Sequence, residues 1–174
     1  KDGEKLDLGM SCYALKIYYI TGNWEALSKE EREGWGLYIN SFQDSIQNFP
    51  SNSYIDRNYL EAYMNVSYLS ELKNMIKKFF NLFKKNKYLL NEEKLKNYIK
   101  AESKQAISTL HQVGLKSEKP YENEYQAPED ISRYLNNLDW TKPWDAGAQF
   151  AAMCVFACIE NKESISEEAS VEEL

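Results

Sequence analysis

The residues best suited to chemistry lie in the last third of the sequence, in two stretches where aromatic rings alternate with carboxylates. Aromatic planes beside acids suit carbohydrate, because the C–H faces of a sugar stack on rings while its hydroxyls bond to carboxylates. We therefore expect a cleft that binds a glycan. The side chains expected to contact the glycan are Tyr121, Tyr125, Trp140, Trp144 and Asp145.

Three other carboxylates in the same stretches are the candidate catalytic groups, those of Glu122, Glu124 and Asp139. Two carboxylates at a suitable separation permit glycoside hydrolysis, with one acting as an acid and the other as a base or nucleophile. None of the three has an evident structural duty in the sequence. Spacing along a chain gives no distance in space, so a glycan-binding domain and an enzyme both stay open.

The turn at 139–147 has a second interpretation, as a structural anchor without a ligand. Pro143 restricts the backbone of this turn, and Trp140 and Trp144 flank it, where they would wedge it in place. Asp145 is suited to cap the following helix by accepting its first free amides. The small residues after Asp145 predict an inner helix that its neighbours surround closely.

Other chemistries lack the residue patterns that they need. His111 is the only histidine, and neither a nucleophile elbow nor a reactive-cysteine signature accompanies it. Cys154 and Cys158 lie four residues apart, so they share a helix face, but the further ligands that a metal requires are absent nearby. We expect small buried thiols, no metal and no cofactor.

Composition narrows the choice of partners. The net charge is −6 and the lysine-rich stretches are interleaved with glutamate, so no broad basic face and no nucleic-acid partner are expected. The longest apolar run, 150–159, is about half of what a membrane-spanning helix requires. No signal-peptide pattern opens the sequence, and three cysteines suit a reducing compartment, so we expect a soluble, cytoplasmic protein without a membrane span.

The spacing of apolar residues predicts helices throughout, and no stretch alternates as a strand would. The first helix is nearly all apolar over 13–19, which predicts that other helices enclose it. We expect an all-α fold of about seven helices, arranged as antiparallel hairpins in a bundle. Residues 1–161 are expected to form a single helical domain, and 162–174 an acidic, flexible tail. The helices are predicted over 7–21, 28–50, from 56, from 67, and over 91–114, 128–138 and 145–161.

Two segments carry a resemblance to a known group of proteins. They are 13–22, Tyr-Ala-Leu-Lys-Ile-Tyr-Tyr-Ile-Thr-Gly, and 138–147, Leu-Asp-Trp-Thr-Lys-Pro-Trp-Asp-Ala-Gly. Both resemble helical hairpins of α/α-toroid proteins, which include terpenoid-cyclase-like domains, six-hairpin glycosidases and polysaccharide lyases. The resemblance implies a partial toroid, because a closed one of about twelve helices needs on the order of 300 residues. The Asp-x-Asp-Asp motif of protonating terpenoid cyclases and the zinc ligands of prenyltransferases are not found.

Two hypotheses for the function follow. The first is a carbohydrate-related helical domain that binds or processes a glycan at the aromatic and acidic cleft. The alternative is a non-enzymatic helical module that binds another protein through its tyrosine-rich surface and acidic tail. The sequence leaves the oligomeric state open.

Overall fold

The computed structural model describes residues 7–64, 68–83, 90–123, 125 and 127–160. The predicted catalytic residue Glu124 and the predicted acidic tail at 162–174 lie outside the described residues. The predicted start of the fourth helix, at residue 67, also lies outside them.

Within these residues the chain is mostly helical, with one small two-stranded sheet, which confirms the prediction of an all-α fold with about seven helices. The α-helices are α1 (Asp7–Ile20), α2 (Lys29–Asn40), α3 (Arg57–Met64), α4 (Tyr68–Asn81), α5 (Asn91–Gln112), α6 (Pro128–Asn137) and α7 (Pro143–Val155). A π-helical turn, Phe156–Glu160, continues α7.

The second helix is shorter than predicted, because a small hairpin replaces its expected C-terminal part. Helix α2 ends at Asn40, and the strands β1 (Gln43–Asp44) and β2 (Ser53–Tyr54) then pair antiparallel. Asn48 and Asn52 adopt positive φ angles of 73° and 58° in this hairpin, a conformation that asparagine tolerates better than most residues. The prediction that the chain contains no strand is therefore wrong for these four residues.

Side chains at the helix starts explain where three of the helices begin. Ser28 and Glu31 form a capping box at the start of α2, with the Glu31 amide donating to Ser28 Oγ over 3.2 Å. Asp56 has a larger role, because its buried carboxylate accepts the amides of Asp7 at 2.7 Å and Leu8 at 3.1 Å. The same carboxylate accepts the Asn58 amide at 3.0 Å, so one residue connects the starts of α1 and α3.

Helix α5 is the central element, and it contacts α1, β2, α7 and the π-helical turn. A buried hydrogen bond fixes β2 to it, since the Tyr54 amide donates to Ser103 Oγ over 3.0 Å. The main core lies between these elements and includes Leu8, Leu15, Ile39, Ile107, Leu110 and Phe156. A smaller cluster around Ile55, Leu95 and Ile99 lies at the other end of α5.

Helix α1 is not enclosed, contrary to the prediction from its apolar sequence. Leu8, Cys12 and Leu15 are buried, because this side of the helix packs on α5. The opposite side carries an exposed apolar stripe at three- and four-residue spacing, consisting of Met10, Tyr13, Ile17 and Ile20.

Helix α7 is not the inner, surrounded helix that its small residues predict. Of its first eight residues only Ala146 is buried, and a Cβ added at Gly147 would meet nothing within 4 Å. The apolar run at 150–159 forms the end of α7 and most of the π-helical turn, where Ala152, Met153 and Phe156 enter the core. No helix in the described ranges is long and apolar enough to cross a membrane.

Candidate functional site

Two adjoining cavities lie along α5, and together we call them the α5 cleft. The first, of about 350 Å³, lies between α5, the residues before β2 and the loop that contains Tyr121 and Tyr125. The second, of about 540 Å³, lies between α5 and α7. Asn97 and Lys100 line both cavities, so the two volumes meet at these side chains.

The predicted residues Tyr121 and Tyr125 form the apolar wall of the first cavity. The Tyr121 ring stacks on Phe156 with a centroid separation of 4.5 Å, and the Tyr125 ring meets Tyr134 edge-on at 4.9 Å. Both tyrosines are buried, as the packing of loop tyrosines requires. The Asn123 side chain holds the loop by accepting the Tyr125 amide at 2.9 Å.

Lys100 stands where the two cavities meet, held by aromatic side chains. Its ammonium lies 2.5 Å from the Tyr125 hydroxyl oxygen and 5.0 Å from the ring centroids of both Tyr125 and Tyr134. A cation over an aromatic face is attracted by the ring quadrupole, so these rings fix the position of the positive charge.

Among the described residues, four lysines and one aspartate line the α5 cleft, although the chain as a whole carries −6. Two of these lysines also form ion pairs outside the lining, Lys96 with Glu92 and Lys142 with Asp139. Lys96, Lys100 and Lys104 follow one another at four-residue spacing, which places them on one face of α5. Lys142 reaches the second cavity from the start of α7, and Asp145 is the one carboxylate among the described residues that line either cavity. Clefts lined mainly by one sign of charge concentrate ligands of the opposite sign.

Glu122, a predicted catalytic residue, has a structural role. Its carboxylate accepts the Ser51 amide at 3.2 Å, while its own amide donates to the Ser51 carbonyl at 3.1 Å. This reciprocal pair ties the tyrosine loop to the segment before β2. Hydrogen bonds from the side chain and backbone of Ser51 lower the pKa of Glu122.

Asp139, the next predicted catalytic residue, organises the turn before α7. It accepts the Thr141 amide at 3.2 Å and the Thr141 hydroxyl, and it forms an ion pair with Lys142 at 3.2 Å. These contacts with Thr141 and Lys142 lower the pKa of Asp139. A general acid in glycoside hydrolysis needs a raised pKa, so Asp139 and Glu122 are tuned in the opposite direction. The expectation that these acids lack a structural duty is wrong.

The tryptophans do not wedge the turn, and Asp145 does not cap α7. Trp140 is 56% exposed, with its indole N–H donating to the Leu135 carbonyl over 3.3 Å, and Trp144 is 90% exposed, so neither ring is buried in the turn. The N-cap position is Lys142, which makes no side-chain capping bond, and Asp145 lies exposed within the first helical turn. The anchor interpretation is therefore wrong for the two tryptophans and for Asp145, while Pro143 begins α7 and Asp139 has a structural role that was not predicted.

The structure brings three of the predicted site residues to the α5 cleft and leaves four outside its lining. Tyr121 and Tyr125 line the first cavity, and Asp145 lines the second. The four residues that line neither cavity are Glu122, Asp139, Trp140 and Trp144. Sequence reasoning missed the lysines, although the spacing of Lys96, Lys100 and Lys104 is visible in the sequence.

The histidine and the cysteines form no further site in the described ranges, where no group of three or more metal-ligating side chains could hold an ion. His111 is exposed in the last turn of α5. Burial raises the pKa of the Cys12 thiol to about 12, and it also raises the pKa of Cys154. Cys158 is exposed, so the prediction of buried thiols is confirmed for Cys12 and wrong for Cys158.

Comparison of the chain with protein-family models, curated proteins and solved structures finds no match. The resemblance to α/α toroids thus stays a prediction. The feature that bears on function is the α5 cleft, through its geometry and its charged lining.

Proposed function

We propose that this protein is a helical domain that binds an acidic glycan in the α5 cleft. The observation that carries the proposal is the combination of two adjoining cavities with Lys96, Lys100, Lys104 and Lys142 along them. Small-molecule sites occupy roughly 300–1,000 Å³, so the two cavities together have room for several sugar units. Cationic side chains there attract the carboxylate or sulfate groups of an acidic sugar.

The remaining polar side chains of the α5 cleft suit the neutral groups of a sugar. Asn97 and Gln149 carry amides that both donate and accept hydrogen bonds, as sugar hydroxyls do. Tyr121 and Tyr125 shape the wall of the first cavity but are only 5% and 1% exposed, so the cations and amides carry the recognition. Hydrogen-bonding amides and cations in one cleft favour an acidic glycan over a purely apolar ligand.

We propose binding rather than hydrolysis. The lowered pKa values of Glu122 and Asp139 hold both carboxylates in the ionised form at neutral pH, in which neither donates a proton. The catalytic assignment of these two residues stays a prediction that the site geometry does not support, and Glu124 lies outside the described residues.

Calorimetric titration of the whole chain with neutral, uronate-containing and sulfated oligosaccharides tests the proposal. We expect the acidic oligosaccharides to bind and the neutral ones to bind at least tenfold more weakly. Lys104→Gln removes a half-buried cation from the second cavity and should weaken acidic-glycan binding by about tenfold, the scale of one charge-assisted hydrogen bond. The matched control is Lys29→Gln on α2, where the lysine is 79% exposed and remote from the cavities.

Asp145→Asn gives a second test, because the direction in which the affinity changes distinguishes acidic from neutral glycans. An acidic ligand is repelled by this carboxylate, so the variant should bind it more tightly than the native chain does. A neutral glycan that bonds to the carboxylate should bind the variant less tightly. No binding by any oligosaccharide, or equal binding by Lys104→Gln and the native chain, would refute the proposal.

A protein-interaction module is the second candidate, and the exposed stripe on α1 favours it. Met10, Tyr13, Ile17 and Ile20 are each more than half exposed, and Leu37 on α2 is 69% exposed. Exposed apolar patches of this kind mark protein–protein contacts. If this face binds a second copy, sedimentation equilibrium should show a mass that rises with concentration in the native chain and stays monomeric in Ile17→Glu.

A further inference from the structure

Helix α4 is oriented with its polar side toward the protein and its apolar side toward solvent. Its half-buried described residues recur at three- and four-residue spacing and are all polar: Ser70, Asn74, Lys77 and Asn81. The opposite face is apolar and exposed, with Met75 at 64%, Phe79 at 60% and Phe83, just after the helix, at 75%. Asn74 connects the polar side to the rest of the chain by accepting the Asn91 amide at 3.1 Å.

This arrangement is the reverse of a core-packed amphipathic helix, which buries its apolar stripe. The rings on the exposed face contact one another, with the Phe79 and Phe83 centroids 5.3 Å apart. Leu72, Ile76, Phe80 and Leu82 widen the same exposed face. So large an apolar face is costly to leave in water, which indicates that it has a docking role.

The charged residues of α4 indicate which kind of partner fits this face. Helix α4 carries Lys73, Lys77 and Lys78 against the single acid Glu71, the largest net positive charge of any helix in the described ranges. Lys73 and Lys78 are exposed and flank the apolar face on opposite sides, on a helical wheel of 3.6 residues per turn. Flanking lysines let the aliphatic stems lie along an apolar surface while the ammonium groups reach anionic headgroups.

We propose that α4 docks in the plane of an anionic lipid surface, with Phe79 and Phe83 entering the acyl boundary and Lys73 and Lys78 contacting lipid phosphates. A helix that lies in the interface combines one broad apolar face, phenylalanines and flanking lysines, and α4 has all three. The proposal does not depend on what the α5 cleft binds, because no α4 residue lines either cavity.

Co-sedimentation of the whole chain with vesicles tests this proposal. The chain should bind phosphatidylcholine vesicles containing about one third phosphatidylserine, and it should bind pure phosphatidylcholine vesicles much less. Phe79→Ser combined with Phe83→Ser should reduce binding by about tenfold or more, since two ring insertions are lost. The matched control is Ile20→Ser with Leu37→Ser, which removes two similarly exposed apolar side chains from α1 and α2 and should leave binding unchanged.

Lys73→Gln combined with Lys78→Gln should weaken binding to the anionic vesicles by on the order of tenfold, and added salt should do the same. Hydrogen–deuterium exchange on vesicles should show new protection over 70–83. All these substitutions are at exposed positions, so circular dichroism should show unchanged helix content in each variant.

Three results with vesicles would overturn the proposal, and one without them. The three are equal binding to neutral and anionic vesicles, protection confined to α1 or α2, and no binding at low ionic strength. Self-association of the lipid-free chain that Phe79→Ser with Phe83→Ser abolishes would also overturn it, because a second copy would then occupy the face.

Discussion

Two acids at the junction of α1, α3 and α5 differ sharply in how well their charges are accommodated. Asp56 is buried and accepts three backbone amides, from Asp7, Leu8 and Asn58. Glu102 is partly buried, and its Oε2 has no hydrogen-bond partner among the described residues. Burial, and then the charge of Asp56, raise the pKa of Glu102.

Asp56→Ala should lower the free energy of unfolding by on the order of 2–3 kcal/mol, because it leaves the starts of α1 and α3 without their acceptor. Asp44→Ala is the control. It removes an ion pair with the largely exposed Arg57 and should cost less than about 1 kcal/mol. Urea unfolding of both variants measures the difference, and an equal loss in the two would contradict this role of Asp56.

Glu102→Gln should raise the free energy of unfolding at pH 7 by about 1 kcal/mol, because it removes a carboxyl group whose charged form burial disfavours and whose Oε2 has no hydrogen-bond partner among the described residues. A raised pKa means that the folded state holds its proton more tightly, so ionisation of Glu102 lowers stability as the pH rises above about 4.3, the usual value for glutamate. The advantage of the variant should therefore shrink toward pH 4.

Urea unfolding of Glu102→Gln at pH 4 and pH 7 measures this effect. Glu118→Gln, at an exposed loop position, should leave stability unchanged at both pH values. A stability difference between Glu102→Gln and the native chain that is the same at both pH values would show that the charge of Glu102 is not the cause.

The candidate site shows which residue roles a sequence can reveal. The aromatic and acidic composition pointed to Tyr121 and Tyr125, which the structure packs into the wall of the first cavity, as a loop tyrosine has to pack on something. The composition did not point to the lysines, because their four-residue spacing on α5 is also typical of an ordinary solvent-exposed helix face. The role of Glu122 depends on Ser51, 71 residues away, which no local pattern contains. The partners of Asp139, by contrast, are its near neighbours Thr141 and Lys142.

At the scale of secondary-structure elements, the sequence predicts where helices end, but it does not predict the hairpin. Gly22 and Gly114 end α1 and α5 with φ angles of 73° and 75°, a conformation in which glycine is favoured. Strands of two residues, such as β1, are too short to show alternation, so the apolar residues that follow α2 fit a helical period equally well.

The open surface around α7 has a measurable consequence. Gly147→Ala should raise the free energy of unfolding by about 0.5–1 kcal/mol, because alanine favours the helix and a Cβ there meets no atom within 4 Å. Gly114→Ala is the opposite case, since its positive φ should make alanine destabilising by a similar amount or more. Thermal unfolding compares the two, and a destabilised Gly147→Ala would mean that the helix is closely surrounded after all.

At the scale of the whole molecule, the sequence predicts least well which face of each helix is buried. Apolar residues on α1 and α4 predict that these helix faces are buried. Whether a face is buried depends on which elements pack against it, and none of the described elements covers the exposed stripes of these two helices. The helical class follows from local periodicity, whereas the arrangement of helices follows from long-range contacts such as those of Asp56.

The distribution of charge over the molecule connects the two proposals. The chain is acidic overall, with a pI near 5.0, yet its lysines concentrate along the α5 cleft and on α4. Each of these surfaces should therefore bind anions, and both interactions should weaken as salt is added. The neutral alternatives, a neutral glycan and a protein partner held by apolar contact, predict little dependence on salt.

The most direct test of the central proposal is an amide chemical-shift map of the chain during titration with a uronate-containing oligosaccharide. We predict saturable shifts concentrated at 97–104 on α5 and at 142–152 on α7, the parts of these helices that line the second cavity. The same titration of Lys104→Gln should need about tenfold more ligand. Shifts confined to the exposed tryptophans Trp140 and Trp144, shifts on α1, or no shifts at all would contradict binding in the α5 cleft.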